Sequence, residues 1–482
     1  MDAESILGPI PTGRSGLTEA HLATPCDDFL WNQGGSRGSV ASPQEVRFRQ
    51  RVFCGAHLPT RRAGRSPRNG RATGIGPDPG VTATLAAAAK AGGRVTTRFA
   101  VIRGNERFNH SELGMYAELR GEWFEPELIC PRRCFVTEAE AGMPITRLSI
   151  PFFAGRFSTT LPGGYLLGRI SPYRHHNHVL VGFHRAVRSA DVLCPADLGH
   201  PTSFQSVQER RFGKKVLVQC WENIPFNWPH ELPVREHYEA VLDGADHFLA
   251  LTEDARRALR SMGVRDERIS RVNIGLRLDY WKPRDRAEKT SGPLELLFVG
   301  RLTWAKGVQT VLEAIDLLAV PLRLTVVGYG EEEGRLRWLI EQRARRGSTV
   351  LAKSVRFLGP RWGAELVALR QEADVQVAPS IPTSGWREQM NQSLLEGFAC
   401  GLPAIASESG AITESLSDHE NGLLVPPDAP AKLAAAIQYL NDHPEERRRM
   451  GQRARERMEQ DYNLPLQTKR LASVLRTKGF TA

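Results

Sequence analysis

The chain has 482 residues, 41% of them hydrophobic, with 64 Lys plus Arg against 54 Asp plus Glu. That length allows two or three domains with real cores, and no run of 18 or more apolar residues is present, which argues against a transmembrane helix. The net charge of +10 invites nucleic acid, but no aromatic-interleaved basic patch or nucleic-acid module is visible, so anionic small molecules and an anionic membrane face are the expected partners.

Residues 1–96 are rich in Pro, Gly, Ser, Thr and Arg and lack apolar periodicity, so a disordered basic extension is expected. Residues 1–97 hold 12 Lys plus Arg against 7 Asp plus Glu, half of the chain's excess charge. No cationic start followed by an apolar stretch suggests a secretory signal. The expected location is therefore cytoplasmic, with peripheral contact at the inner membrane face. A first domain is expected over 97–281. Its strands are read at 99–102, 127–130, 191–194, 215–219, 247–251 and 269–273, with helices at 111–119, 178–190 and 253–261. Strands alternating with helices predict an α/β fold with a parallel, doubly wound sheet. The seven cysteines are scattered. Cys130 and Cys134 have no second Cys or His pair at zinc spacing, so they read as buried or incidental thiols.

A polar, Pro-bounded linker, 282–293, leads to a second domain over 294–461 that repeats the theme. Strands are expected near 294–299, 322–327, 355–358, 374–378 and 403–406, and helices at 308–318, 430–441 and 444–460. A last helix, 466–478, follows a break at Tyr462-Asn463. The first of these strands runs into Gly300-Arg301-Leu302-Thr303-Trp304-Ala305-Lys306-Gly307. Arg301 and Lys306 thus fall on a strand-to-helix turn, at the sheet edge where ligands of open α/β sheets bind. About ninety residues on, a Ser-, Gly- and Pro-rich loop ends at Glu388, and an apolar-periodic helix then carries Glu396 until Gly401 and Pro403 stop it. Carboxylates accept hydroxyl hydrogen bonds, and cations with helix-start amides favour an anion. A sugar joined to a diphosphate offers both.

Six motifs carry a resemblance. They are Gly300-Arg301-Leu302 with Lys306-Gly307, Val326-Val327-Gly328-Tyr329-Gly330, Ala373-Asp374-Val375 through Pro379-Ser380, Glu388-x7-Glu396, Gly410, and Asn421-Gly422-Leu423-Leu424-Val425-Pro426. In this order they resemble the C-terminal domain of a family 4 (group 1) glycosyltransferase of the GT-B fold, closely over 290–460 and loosely over 97–285. The resemblance implies two Rossmann-like domains facing across a cleft, with the last helix, within 462–482, completing the first. It implies a retaining transfer of a sugar from a nucleotide-diphosphate donor to an acceptor hydroxyl, on a glycan, a lipid-linked or a small-molecule acceptor. No metal or other cofactor is expected. Arg301, Lys306 and Glu388 would be catalytic. Gly300, Arg301, Lys306, Gly330, Ser384, Gly385, Gln389, Met390, Asn391 and Glu396 would bind the donor, with Glu396 on the ribose and Glu388 on the transferred sugar.

Competing motifs are weaker. Gly328-Tyr329-Gly330-Glu331-Glu332-Glu333-Gly334 sets its third Gly one place late for a dinucleotide fingerprint, and three glutamates crowd the pyrophosphate position. Tyr173-Arg174-His175-His176-Asn177-His178 lacks a carboxylate or Cys partner at a telling spacing and reads as a solvated turn. The first half departs from the family. Many members place a Gly-Gly turn where this chain has Arg103-Gly104-Asn105, a sugar-contacting His where it has Cys220-Trp221-Glu222-Asn223, and Gly-Val-Asp where it has Gly275-Leu276-Arg277. The alternative function is thus a catalytically silent GT-B protein that binds a nucleotide sugar or a protein partner.

Overall fold

The apolar strand runs become two parallel sheets. A computed structural model of the chain describes residues 96–105, 110–121, 123–150, 179–227, 234–283, 292–347 and 350–481, all within one compact unit. The expectations for residues 1–95, for the 173–178 His cluster and for linker residues 284–291 lie outside the described residues.

The first sheet comprises β1 (Thr97–Ile102), β2 (Phe124–Pro131), β3 (Ile145–Leu148), β4 (Val192–Pro195), β5 (Lys215–Cys220), β6 (His247–Ala250) and β7 (Ile269–Arg271). Its order is β3-β2-β1-β4-β5-β6-β7, every pairing parallel. Successive side chains alternate between faces. Phe99 and Val101 enter one apolar cluster, and Ala100 and Ile102 the other. Burial on both faces is why these strands read as continuous apolar runs.

The second sheet comprises β8 (Leu294–Val299), β9 (Leu322–Val327), β10 (Val355–Gly359), β11 (Val375–Ala378), β12 (Ala404–Ser407) and β13 (Gly422–Val425). Its order is β10-β9-β8-β11-β12-β13, again all parallel. Leu294, Leu296 and Phe298 face one cluster, and Leu297 the other. Truncating a side chain such as Phe298, 3% exposed, to Ala would cost about 3–5 kcal/mol.

The fold expectation therefore holds: two doubly wound parallel sheets. Each order reverses once, between β1 and β4 and between β8 and β11, which creates a crevice at the strands' carboxyl ends. The chain crosses between domains twice, side by side. Leu276 N donates to Tyr462 O at 2.7 Å, and Leu464 N to Leu276 O at 3.0 Å. Helix Leu464–Thr477 then sends Leu464, Leu471 and Leu475 into the first domain's core.

Three expectations need correction. The helix foreseen at 178–190 is, among the described residues, only Phe183–Ala186, because Gly182 takes a left-handed φ of 81° at its start. Two strands, β3 and β13, were not foreseen. The Ile-Thr-Arg-Leu of β3 is a short edge strand without an apolar run, and the Gly-Leu-Leu-Val of β13 was read only as a motif.

Candidate functional site at the second sheet's switch point

Strands β8 and β11 are neighbours at the reversal, so the loops leaving their carboxyl ends meet. From β8 come Gly300 and Arg301, then a 3-10 turn, Trp304–Lys306. Gly307 ends that turn at φ 71°, and a Cβ there would lie 1.9 Å from Pro379 O. Only glycine lets the two loops approach so closely. Gly330, after β9, is held the same way: a Cβ would meet Leu302 O at 2.2 Å.

Lys306 and Glu388, 82 residues apart, form an ion pair. Glu388 Oε1 accepts from Lys306 Nζ and, at 2.6 Å, from Ser380 Oγ. Among the described residues none donates to Glu388 Oε2. Lys306 Nζ also lies 4.9 Å from the centre of the Trp386 ring, where a cation is attracted to the aromatic face. Arg301 is exposed and has no hydrogen bond or ion pair with any described residue.

The glutamate helix begins later than Glu388. It spans Gln392–Ala399, and Asn391 is its N-cap, at φ 40° with its side chain accepting from Leu394 N at 3.2 Å. Glu388 therefore sits on the preceding loop, and Glu396 sits within the helix. Glu396 is 6% exposed and is paired with Arg370, whose Nη2 donates to Oε2 at 2.5 Å, while Gln392 Nε2 donates to Oε1 at 3.1 Å. Burial pushes its carboxyl above the usual range, and the Arg370 charge pulls it back down. The two glutamates thus have separate cations. Ser384 and Gly385 are exposed on the loop, and Gln389 is half-buried. Met390 packs its side chain against the core beneath, which leaves its backbone as the part that can face a ligand.

The first domain closes over this loop. Asn223 Nδ2 donates to Glu388 O at 2.7 Å, Asn227 Nδ2 to Gly385 O at 3.1 Å, and Arg387 Nη2 to Asn223 O. Beside Asn223, Glu222 and Asp197 occupy the carboxyl ends of β5 and β4. Burial, then the Glu222 charge, push Asp197 up to about 8, and Glu222 is raised too, by burial.

Sequence reasoning missed Ser380, Trp386, Asn223, Asn227 and Arg370 as site residues. Arg370 left one trace: it lies four residues after Leu366 on the buried stripe of helix Gly363–Glu372, where a cation demands a partner. Trp386, Asn223 and Asn227 are set by contacts between distant segments, and Ser380 by a contact within its own loop. The described residues also leave Cys130, Cys134, Cys194, Cys220 and Cys400 as buried free thiols.

The model of one family, glycosyl transferases group 1, matches residues 279–457. WcaL of Salmonella typhimurium, named for colanic acid biosynthesis as a glycosyltransferase, is 32% identical over 247 residues, covering 50% of this chain and 59% of WcaL. Glycogen synthase of Mycobacterium tuberculosis is 32% identical over 198 residues, covering 40% of this chain and 45% of that protein. The chain thus spans about half the length of these curated relatives. Among solved structures, HepE of Anabaena in complex with UDP superimposes with a TM-score of 0.62 at 14% identity, over 79% of this chain and 100% of that one. That likeness speaks to the fold. No described helix is long and apolar enough to cross a membrane.

Proposed function

We propose that the protein transfers a sugar from a nucleoside-diphosphate donor to an acceptor hydroxyl, with retention at the anomeric carbon, a reading supported by the match of residues 279–457 to the model of the group 1 glycosyl transferases. One observation carries this reading. At the switch point, Arg301, which has no hydrogen bond or ion pair with a described residue, and the Lys306–Glu388 pair stand together on the loops leaving β8 and β11.

The chemistry follows from the donor and acceptor capacities. Lys306 has three N–H bonds and spends one on Glu388, so the others can reach a diphosphate without releasing the carboxylate. Arg301 adds a planar fork. As the bond from the anomeric carbon to the diphosphate breaks, its electron pair leaves with the diphosphate, and both cations stabilise that charge. Glu388 Oε2 accepts from a hydroxyl of the transferred sugar and fixes its pose. The acceptor oxygen bonds to the anomeric carbon on the same face, and its proton passes to the departing phosphate. Glu396 accepts from the ribose hydroxyls. In this reading the two cations make a metal unnecessary, so chelation leaves turnover intact. HepE, whose fold this chain shares, was solved in complex with UDP, which supports a nucleotide donor.

The experiment is a panel of nucleotide sugars, read by thermal shift and then by release of nucleoside diphosphate with and without candidate acceptors. Stabilisation by one donor, followed by its slow hydrolysis, is expected. A donor that stabilises but is never turned over would favour the silent-binding alternative.

A further inference from the structure

We propose that Arg370 is a positioning residue of the nucleotide site: without touching the ligand, it fixes Glu396 as an oriented, ionised acceptor for the ribose hydroxyls. The role rests on the nucleotide reading above.

Arg370 is 1% exposed, so a bound nucleotide cannot reach it, and its charge must be satisfied from within. Four contacts engage its two Nη nitrogens, while Nε has no hydrogen-bond partner among the described residues. Nη2 donates to Glu396 Oε2 at 2.5 Å and lies 3.4 Å from Ser393 Oγ. Nη1 donates to Gln376 Oε1 and to Ser393 O, each at 3.1 Å. Gln376, on β11, returns a bond from Nε2 to the same Ser393 carbonyl at 3.0 Å. The guanidinium also lies 5.1 Å from the centre of the Trp281 ring, so the fork is held in one plane. A point charge could not make these bonds at once, which is why the position suits Arg and not Lys.

The arrangement answers a specific problem. Glu396 sits inside the domain with little exposed surface, and burial alone favours its neutral form, a poorer acceptor. The other groups facing it do not supply the missing charge. Tyr280 and Cys400 are pushed toward their neutral forms by burial. Arg455, from helix Pro444–Asp461, spends its donors on Ala399 O, Trp281 O and Glu459. Gln392 contributes a neutral bond. Arg370 is thus the cation hydrogen-bonded to Glu396 among the described residues.

A purely structural arginine and a positioning one predict different pH behaviour. Removing Arg370 raises the folded-state pKa of Glu396 further above its unfolded value. For such a group, stability is present below the unfolded pKa and is lost as pH rises through the folded one. The cost of losing Arg370 should therefore grow with pH and depend on Glu396 being ionisable.

The test is urea unfolding across pH 5 to 8 of wild type, Arg370→Met, Arg370→Lys, Glu396→Gln and the Arg370→Met/Glu396→Gln double variant. Calorimetry of UDP, GDP and ADP on the same proteins accompanies it. We expect a penalty in Arg370→Met that increases with pH and shrinks in the double variant. For whichever diphosphate wild type binds, affinity should fall about ten- to a hundredfold at neutral pH, with the gap closing as pH drops. Arg370→Lys should recover charge but only part of the affinity. Should Arg370→Met not fold, Arg370→Lys and the double variant still report the coupling. A penalty equal at every pH and undiminished by Glu396→Gln would overturn the proposal and leave a structural arginine. Normal diphosphate affinity in Glu396→Gln would instead overturn the ribose role, and failure of wild type to bind any of the three diphosphates would overturn the nucleotide reading, while the unfolding series separately judges the Arg370–Glu396 coupling.

Discussion

Two arginines occupy the same place in two sheets of the same winding, and their environments are opposite. Arg103 directly follows β1 and Arg301 follows β8 by one glycine, each beside its sheet's reversal. Arg103 is 1% exposed and donates to Gln219 Oε1 at 2.8 Å and Ile102 O at 2.9 Å, with Glu112 at 3.8 Å. Arg301 is exposed and engages no described residue. At the first crevice the arginine is spent on the protein's own side chains, whereas at the second Arg301 has no hydrogen bond or ion pair with a described residue and Lys306 keeps donors beyond its pairing with Glu388. Topology supplies both crevices; which one is free to bind an anion is decided by the residues at the strand ends.

This comparison can be broken by matched variants. Arg103→Met would leave Glu112 without its cation inside the first domain, Gln219 keeping only the Tyr116 hydroxyl, and should destabilise by about 3–5 kcal/mol. Arg301→Met should leave stability within about 0.5 kcal/mol while weakening donor binding. Chemical unfolding of both, with donor titration of the second, checks the contrast. Equal destabilisation by the two changes would erase it.

The second prediction concerns pH. Asp197, at the first crevice, is raised from an ordinary value near 3.8 to about 8, by burial first and the Glu222 charge second. The folded state then holds a proton that the unfolded state has lost, so this contribution to stability is full below about pH 4 and disappears as pH rises toward 8. Asp197→Asn, which mimics the protonated acid, should flatten that decline by a few kcal/mol. An unchanged slope of unfolding free energy against pH in the variant would refute the assignment.

The smallest expected effects separate the two glutamates. Under the proposed roles, Glu396→Gln removes one charge-assisted bond to the ribose, worth about 1.5–3 kcal/mol, and should weaken free nucleoside diphosphate accordingly. Glu388→Gln should reduce turnover more than diphosphate binding, because in the proposed pose its Oε2, to which no described residue donates, holds the sugar. Calorimetry and steady-state kinetics on both variants decide this. Equal loss of diphosphate affinity would collapse the distinction.

The sequence shows the second crevice far better than the first. Buried parallel strands such as β8 read as apolar runs because both faces are covered. Arg301 and Lys306 are legible because they fall on the turn leaving such a strand, and Glu388 because the glycosyltransferase resemblance pairs it with Glu396. What the chain order hides is pairing at long range. That Lys306 answers Glu388 across 82 residues, that Asn223 grips the Glu388 carbonyl across 165, and that Arg370 backs Glu396 are consequences of packing. Residues in β3, Ile145–Leu148, were missed for a different reason: a short edge strand with Thr and Arg has no periodic signal.

The central claim is that the cations at the second switch point stabilise a departing diphosphate. Steady-state kinetics of Lys306→Met, once the variant is shown to unfold cooperatively, test it most directly. The account predicts that turnover falls about a hundred- to a thousandfold with a much smaller change in the apparent donor constant. Turnover close to that of the unaltered protein would contradict it.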